Sequence, residues 1–157
     1  MNKNNIIIDL SGSMKENGKY FLLRYIFQSI VSLIKTDDFS KFDFDIYKWQ
    51  NDITLISSLK DIKDKDFNIK QNEDKLVEFF ENNKDSVNML ITDGSFSHNL
   101  KNNLEKISKK TPLILLQIGN DFDISANKIT KKDLIFKSFE LISAIFTQCK
   151  LNKSEVI

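Results

Sequence analysis

The sequence predicts an α/β domain: a mostly parallel central sheet, one antiparallel edge strand, and helices on both faces. Three observations lead there. The apolar runs at 6–8, 87–91 and 113–116 are continuous or nearly so, which suits strands covered on both faces. Segments with apolar residues at helical spacing separate these runs, and strands alternating with helices imply a parallel sheet between helical layers. One segment, 42–49, instead alternates apolar and polar residues and is followed by a turn and a short second strand, as an antiparallel edge hairpin would be.

Taken in order, residues 2–10 form the first strand. Residues 18–35 form a helix, with Phe21, Leu22, Tyr25, Ile26, Ile30 and Leu33 at helical spacing; its aromatic stripe is expected to pack in the core. Asp37, Asp38 and Ser40 turn the chain. The strand at 42–49 places Asp43 and Asp45 together on its exposed face, and 53–56 is its partner. Residues 59–72 are charged and aperiodic, a connection rather than a second domain. A helix at 73–82 turns Leu76, Val77, Phe79 and Phe80 inward. The strand at 87–94 ends in Asp93-Gly94. A helix at 96–109 follows, with Leu100, Leu104 and Ile107 as a thin apolar face. Pro112 opens the next strand, a position where a strand tolerates proline. A short last strand at 134–136 and a closing helix at 138–150 complete the chain. Residues 1–150 are expected to form a single domain, with 151–157 as a short C-terminal tail.

Composition narrows the function. The 157 residues carry a net charge of +1, and Arg24 is the sole arginine. Arginine is the preferred residue for bidentate recognition of phosphates and bases, so a nucleic-acid role has little support. The lysines are interleaved with acids and read as a solvated surface. Cys149 is the one cysteine and can form no internal disulfide. There is no signal-peptide pattern and no apolar run near the roughly 20 residues of a membrane span, so a cytoplasmic protein is expected.

The informative stretch is Ile6-Ile7-Ile8-Asp9-Leu10-Ser11-Gly12-Ser13-Met14. A buried strand ends in a loop bearing one carboxylate and two alternate hydroxyls, with Gly12 expected to allow a sharp turn between them. Ligands of open α/β sheets bind at this carboxyl end. Three converging oxygens without sulfur or imidazole suit Mg²⁺, or Mn²⁺, rather than zinc or copper. Catalysis is poorly supported: no phosphate-binding glycine loop occurs, and Ser11 lacks a His–Asp partner set. His98, the single histidine, is expected at the surface near the start of a helix, although a general-base role is conceivable beside Asp93.

Asp9-Leu10-Ser11-Gly12-Ser13, a D-x-S-x-S pattern after an apolar strand, resembles the metal-ion-dependent adhesion site (MIDAS) of von Willebrand factor A (VWA) domains. Leu90-Ile91-Thr92-Asp93-Gly94 resembles the family's second acidic element, an apolar strand ending in T-D-G. The resemblance implies a Rossmann-like VWA fold. It also implies a metal held by Asp9, Ser11 and Ser13, approached by Asp93, with an open position for an acidic residue from a partner protein. The family's threonine, in a G-G-T-x-L loop, is absent; anchoring on Leu76 puts Asp74 in its place. Asp74 there is either an added anionic ligand, which would tighten cation binding, or, with Asn72, simply a helix cap beside a weakened site.

In the C-terminal third, Gly119-Asn120-Asp121-Phe122-Asp123, Ile129-Thr130 and Ser138-Phe139-Glu140-Leu141-Ile142-Ser143-Ala144-Ile145 are similar to segments of bacterial TerY-like VWA proteins. That narrower resemblance implies a cytoplasmic module of tellurium-resistance or stress complexes, partnered by a kinase, phosphatase or ATPase encoded nearby. Two other functions remain open: a Mg²⁺-dependent phosphohydrolase using Asp9, Asp93 and Asp74, and a VWA scaffold whose metal site is degenerate.

Overall fold

The computed structural model describes residues 3–154. Six strands form one sheet in the order β3-β2-β1-β4-β5-β6. They are β1 (Asn4–Asp9), β2 (Phe44–Trp49), β3 (Ile53–Ile56), β4 (Val87–Thr92), β5 (Leu113–Gln117) and β6 (Ile135–Lys137). Only β3 runs antiparallel, against β2; every other neighbouring pair is parallel. The helices are α1 (Lys19–Leu33), α2 (Glu73–Asn82), α3 (His98–Ser108) and α4 (Leu141–Ser154). Asn2, at the start of the expected first strand, and 155–157 lie outside the described residues. The closing helix runs four residues past Lys150, with Asn152 buried.

Alternation along the buried strands builds two cores. Ile6 and Ile8 of β1, Met89 and Ile91 of β4, and Ile114 and Leu116 of β5 face one way, against Leu23, Phe27 and Ile30 of α1 and Ala144 and Ile145 of α4. Ile7, Leu90 and Leu115 face the other way, against Leu76 and Phe80 of α2 and Leu100 and Leu104 of α3. A strand covered on both sides has no polar face, which is why its sequence is a continuous apolar run. Strand β2, between β3 and β1, obeys the same rule. Asp45 and Tyr47 share a face with Trp49, which is fully buried in the second core, so that face turns to solvent only at its far end. Asp45 there accepts a bond from Lys3 Nζ at 2.8 Å, a surface ion pair.

One packing expectation is corrected. Phe21 and Tyr25 are 75% and 72% exposed, not core residues. Helix α1 is apolar around most of its circumference, but only the stripe through Leu23, Ile26, Phe27 and Ile30 meets the sheet. Phe21 and Tyr25 fall outside it, and Tyr20 packs edge-on to Phe67. Phe139, Ile142 and Phe146 are exposed as well. Phe139 and Ile142, with Leu22, Tyr25 and Ile26, line a groove of about 630 Å³ between α1 and α4.

The topology fixes where a ligand could sit. From β1 the chain moves to β2 on one side and later returns to β4 on the other. The carboxyl ends of β1 and β4 therefore border a topological switch point, where neighbouring loops part and leave a crevice. At the opposite end the sheet is closed: Gln148 of α4 donates to the carbonyls of Asn5 and Val87, and Asn5 bonds Asn88. Among the described residues, no helix is long and apolar enough to cross a membrane.

Candidate metal centre

Asp9 is the last residue of β1 and fully buried. Its Oδ1 accepts from the Ser11 amide at 2.8 Å and from Gln71 Nε2 at 2.7 Å; its Oδ2 accepts from Thr92 Oγ1 at 2.6 Å. Burial pushes the Asp9 carboxyl above the usual carboxylate range, while the bonds from Thr92, Gln71 and Ser11 pull it back and nearby Asp93 adds to the rise. A buried carboxylate with three donors is costly to form and firmly oriented.

The loop after Asp9 forms one 3₁₀ turn, Gly12–Lys15, anchored by the buried side chain of Met14. Ser11 Oγ and Ser13 Oγ converge at 3.1 Å. Gly12 is not the sharp turn expected of it. Among the described glycines, left-handed backbone occurs at Gly18, Gly94 and Gly119, and a Cβ on Gly12 would make only ordinary contact, 3.6 Å from the Phe67 carbonyl. The 3₁₀ turn by itself brings the two hydroxyls together.

Asp93 follows β4 and is 1% exposed. Its Oδ1 accepts from the Ser95 amide at 3.1 Å, and Gly94 turns the chain away with a φ of +79°. Its Oδ2 accepts from Lys19 Nζ, also at 3.1 Å. Thr92 serves both elements, since its hydroxyl donates to Asp9 and accepts from the Gly94 amide at 3.0 Å.

Lys19, Gln71 and Asp121 were not legible as site residues. Lys19, the first residue of α1, is only 2% exposed, and its ammonium also reaches both carboxylate oxygens of Asp121 at 3.0 and 2.8 Å. Burial works against that ammonium, but the bonds to Asp121 and Asp93 outweigh it and hold Lys19 above the ordinary lysine value. Lys19, more than any other group, holds the Asp121 carboxyl below the usual range. Gln71 sits in the aperiodic connection, placed by its own bond to the Trp49 carbonyl and by the Asn72 amide on Gln50.

Asp74 occupies the first turn of α2 and is exposed. Asn72 is the residue that caps this helix, accepting from the amides of Asp74 and Lys75 at 3.0 and 3.4 Å. None of the hydrogen bonds that tie Asp9, Thr92 and Asp93 together involves Asp74. His98 is exposed on α3, in contact with Asn102, and Ser97 caps α3 through the Leu100 amide.

The donor set suits a hard divalent cation. Octahedral Mg²⁺ with bonds of 2.0–2.1 Å sets adjacent ligand oxygens about 3 Å apart. The two serine hydroxyls already have that separation, beside a buried carboxylate and within the field of a second. No group of three or more His, Cys, Asp or Glu side chains is arranged for a metal among the described residues.

No family model and no curated protein matches the sequence. Solved structures do. Proximal thread matrix protein 1 from the mussel byssus is 14% identical over 92% of this chain and 47% of its own, with a TM-score of 0.64. A form of that protein whose MIDAS motif is occupied by zinc is 15% identical over 97% of this chain, with a TM-score of 0.61. An aerotolerance-related membrane protein from Bacteroides fragilis is 13% identical over 94% of this chain and 98% of its own, with a TM-score of 0.64. The chain thus spans about half the length of the mussel protein. At these identities the likeness is one of fold, and the fold is the Rossmann-like VWA fold.

Proposed function

We propose that this chain is a protein-interaction module that holds a divalent cation, Mg²⁺ or Mn²⁺, at the carboxyl edge of its sheet. Ser11, Ser13 and Asp9 would hold the ion, with Asp93 on its flank and an open position for a carboxylate of a partner protein. The observation that carries this reading is the pair of serine hydroxyls 3.1 Å apart beside the buried Asp9. The zinc-occupied MIDAS motif of the mussel protein, on the same fold, supports the coarser part of this reading, a divalent cation at that edge. Bound there, the ion would supply a Lewis-acidic anchor for an acidic side chain. Asp9 contributes fixed charge, Thr92 and Gln71 fix its orientation, and Met14 ties the serine loop to the core. A partner within a bacterial stress complex, a kinase, phosphatase or ATPase, fits the C-terminal motifs.

Calorimetric titration of the metal-stripped protein with Mg²⁺ and Mn²⁺ tests this reading. Saturable binding that disappears in Asp9→Ala is the expected result; binding unchanged in that variant overturns it. A second reading has its own support. Every oxygen of Asp9 and Asp93 already accepts a bond from the protein, which suits a VWA scaffold with a closed site. Absence of binding in the wild type, with partner capture insensitive to EDTA, is its expected signature.

A further inference from the structure

Lys19 is the unusual member of the site. A lysine at the first position of a helix ordinarily points to water and gains nothing from the helix's positive end. Here the residue is buried, and three separate elements build its place. Gly18 precedes it with a φ of +78°, a conformation that glycine adopts without strain. Its aliphatic stem then crosses Gly119 after β5, where an added Cβ would lie 2.8 Å from Lys19 Cδ and 2.7 Å from Asp121 Oδ1. The ammonium ends between Asp93 and Asp121, at 3.1 Å from one and 2.8 Å from the other. Asn17 steadies Asp121 with a bond of 3.2 Å.

We infer that Lys19 is a built-in counter-cation that lowers the affinity of this site for divalent metal by holding Asp93 in an ion pair. The inference rests on the metal-binding reading above. With its carboxylates ionised, the cluster of Asp9, Asp93, Asp121 and Lys19 carries two net negative charges, the amount that one divalent ion neutralises. Without Lys19 it would carry three and would draw a cation more strongly. Lys19 also takes one oxygen of Asp93 out of reach of an incoming ion. The consequence is a site of modest affinity, in which the oxygen of Asp93 held by Lys19 leaves a coordination position for an outside carboxylate. Lys19 is a positioning residue: it acts on the metal through Asp93.

The test is calorimetric titration of three metal-stripped proteins with Mn²⁺: wild type, Lys19→Gln and Asp121→Asn. Lys19→Gln is expected to bind about tenfold more tightly or better, since a full charge is removed close to a divalent ion. Asp121→Asn, at a position 44% exposed, frees the ammonium to settle wholly on Asp93 and is expected to bind severalfold more weakly. These opposite shifts support the inference. A folded Lys19→Gln that binds no more tightly than wild type overturns it while leaving the metal site intact. Should Lys19→Gln fail to fold, Asp121→Asn decides, and affinity equal to or above wild type overturns the inference. If none of the three binds, the metal-binding reading itself falls, and the inference with it.

Discussion

The Thr92 hydroxyl joins the two halves of the site, so its removal measures how tightly they are coupled. Thr92→Val keeps the β-branched shape and the volume, and β4 is fully buried at that point. Two bonds are lost. The Asp9 carboxylate loses a donor at 2.6 Å, and the buried Gly94 amide loses its acceptor at 3.0 Å. A hydrogen bond to a charged group contributes about 1.5–3 kcal/mol, and an orphaned buried amide costs about 1–3 kcal/mol, which together suggest a loss of about 2.5–6 kcal/mol. Thr92→Ser is the control: it keeps the hydroxyl and removes one buried methyl, for about 1 kcal/mol. Urea unfolding of the three proteins in EDTA, followed by Trp49 fluorescence, reads the difference. Thr92→Val within about 0.5 kcal/mol of Thr92→Ser would mean that the hydroxyl contributes no more than a methyl-sized contact and does not couple the two halves.

Asp9 titrates above its ordinary value of about 3.9 in the metal-free fold, so the native state binds more protons than the unfolded chain within that window. Its contribution therefore declines as pH rises from about 3.9 through the raised value, and the stability of wild type relative to Asp9→Asn should fall over that range. Asp121 has the opposite sign: its contribution is present above about 3.9 and is lost as pH falls through its depressed value, so Asp121→Asn should flatten the acid limb of the unfolding curve. Gly119→Ala, at a φ of +85° and against Lys19 and Asp121, should cost about 2 kcal/mol or more in denaturant unfolding. Asn72→Ala should cost about 1 kcal/mol by removing the α2 cap, whereas Asp74→Asn should stay within about 0.5 kcal/mol in the metal-free protein.

The parts legible in the sequence were those where one local signal fixes the outcome. The continuous apolar runs of β1, β4 and β5 admit only strands buried on both faces, and an acid at the end of such a run has to lie at the sheet's edge. Asp9 and Asp93 were therefore visible from sequence alone, and the alternate hydroxyls of Ser11 and Ser13 followed. The illegible parts depend on distant elements. Lys19 reads as one more surface lysine, because nothing local reveals that Gly119, a hundred residues later, opens a path for its stem. Gln71 lies in a segment with no period and is placed only through Trp49 and Gln50. Phe21 and Tyr25 were misjudged for a related reason: a helix apolar around most of its circumference does not readily declare which stripe will meet the sheet. Even there, one signal was available, since Leu23, Ile26, Phe27 and Ile30 form the denser helical stripe.

The most direct measurement is an X-ray structure from crystals grown in Mn²⁺, with anomalous scattering used to place the ion. One strong anomalous peak is expected within bonding distance of Ser11 Oγ and Ser13 Oγ, next to Asp9, with Lys19 still paired to Asp93. A peak bound elsewhere on the surface, or none while Lys19, Gln71 and Thr92 keep their bonds to the two aspartates, would contradict that placement.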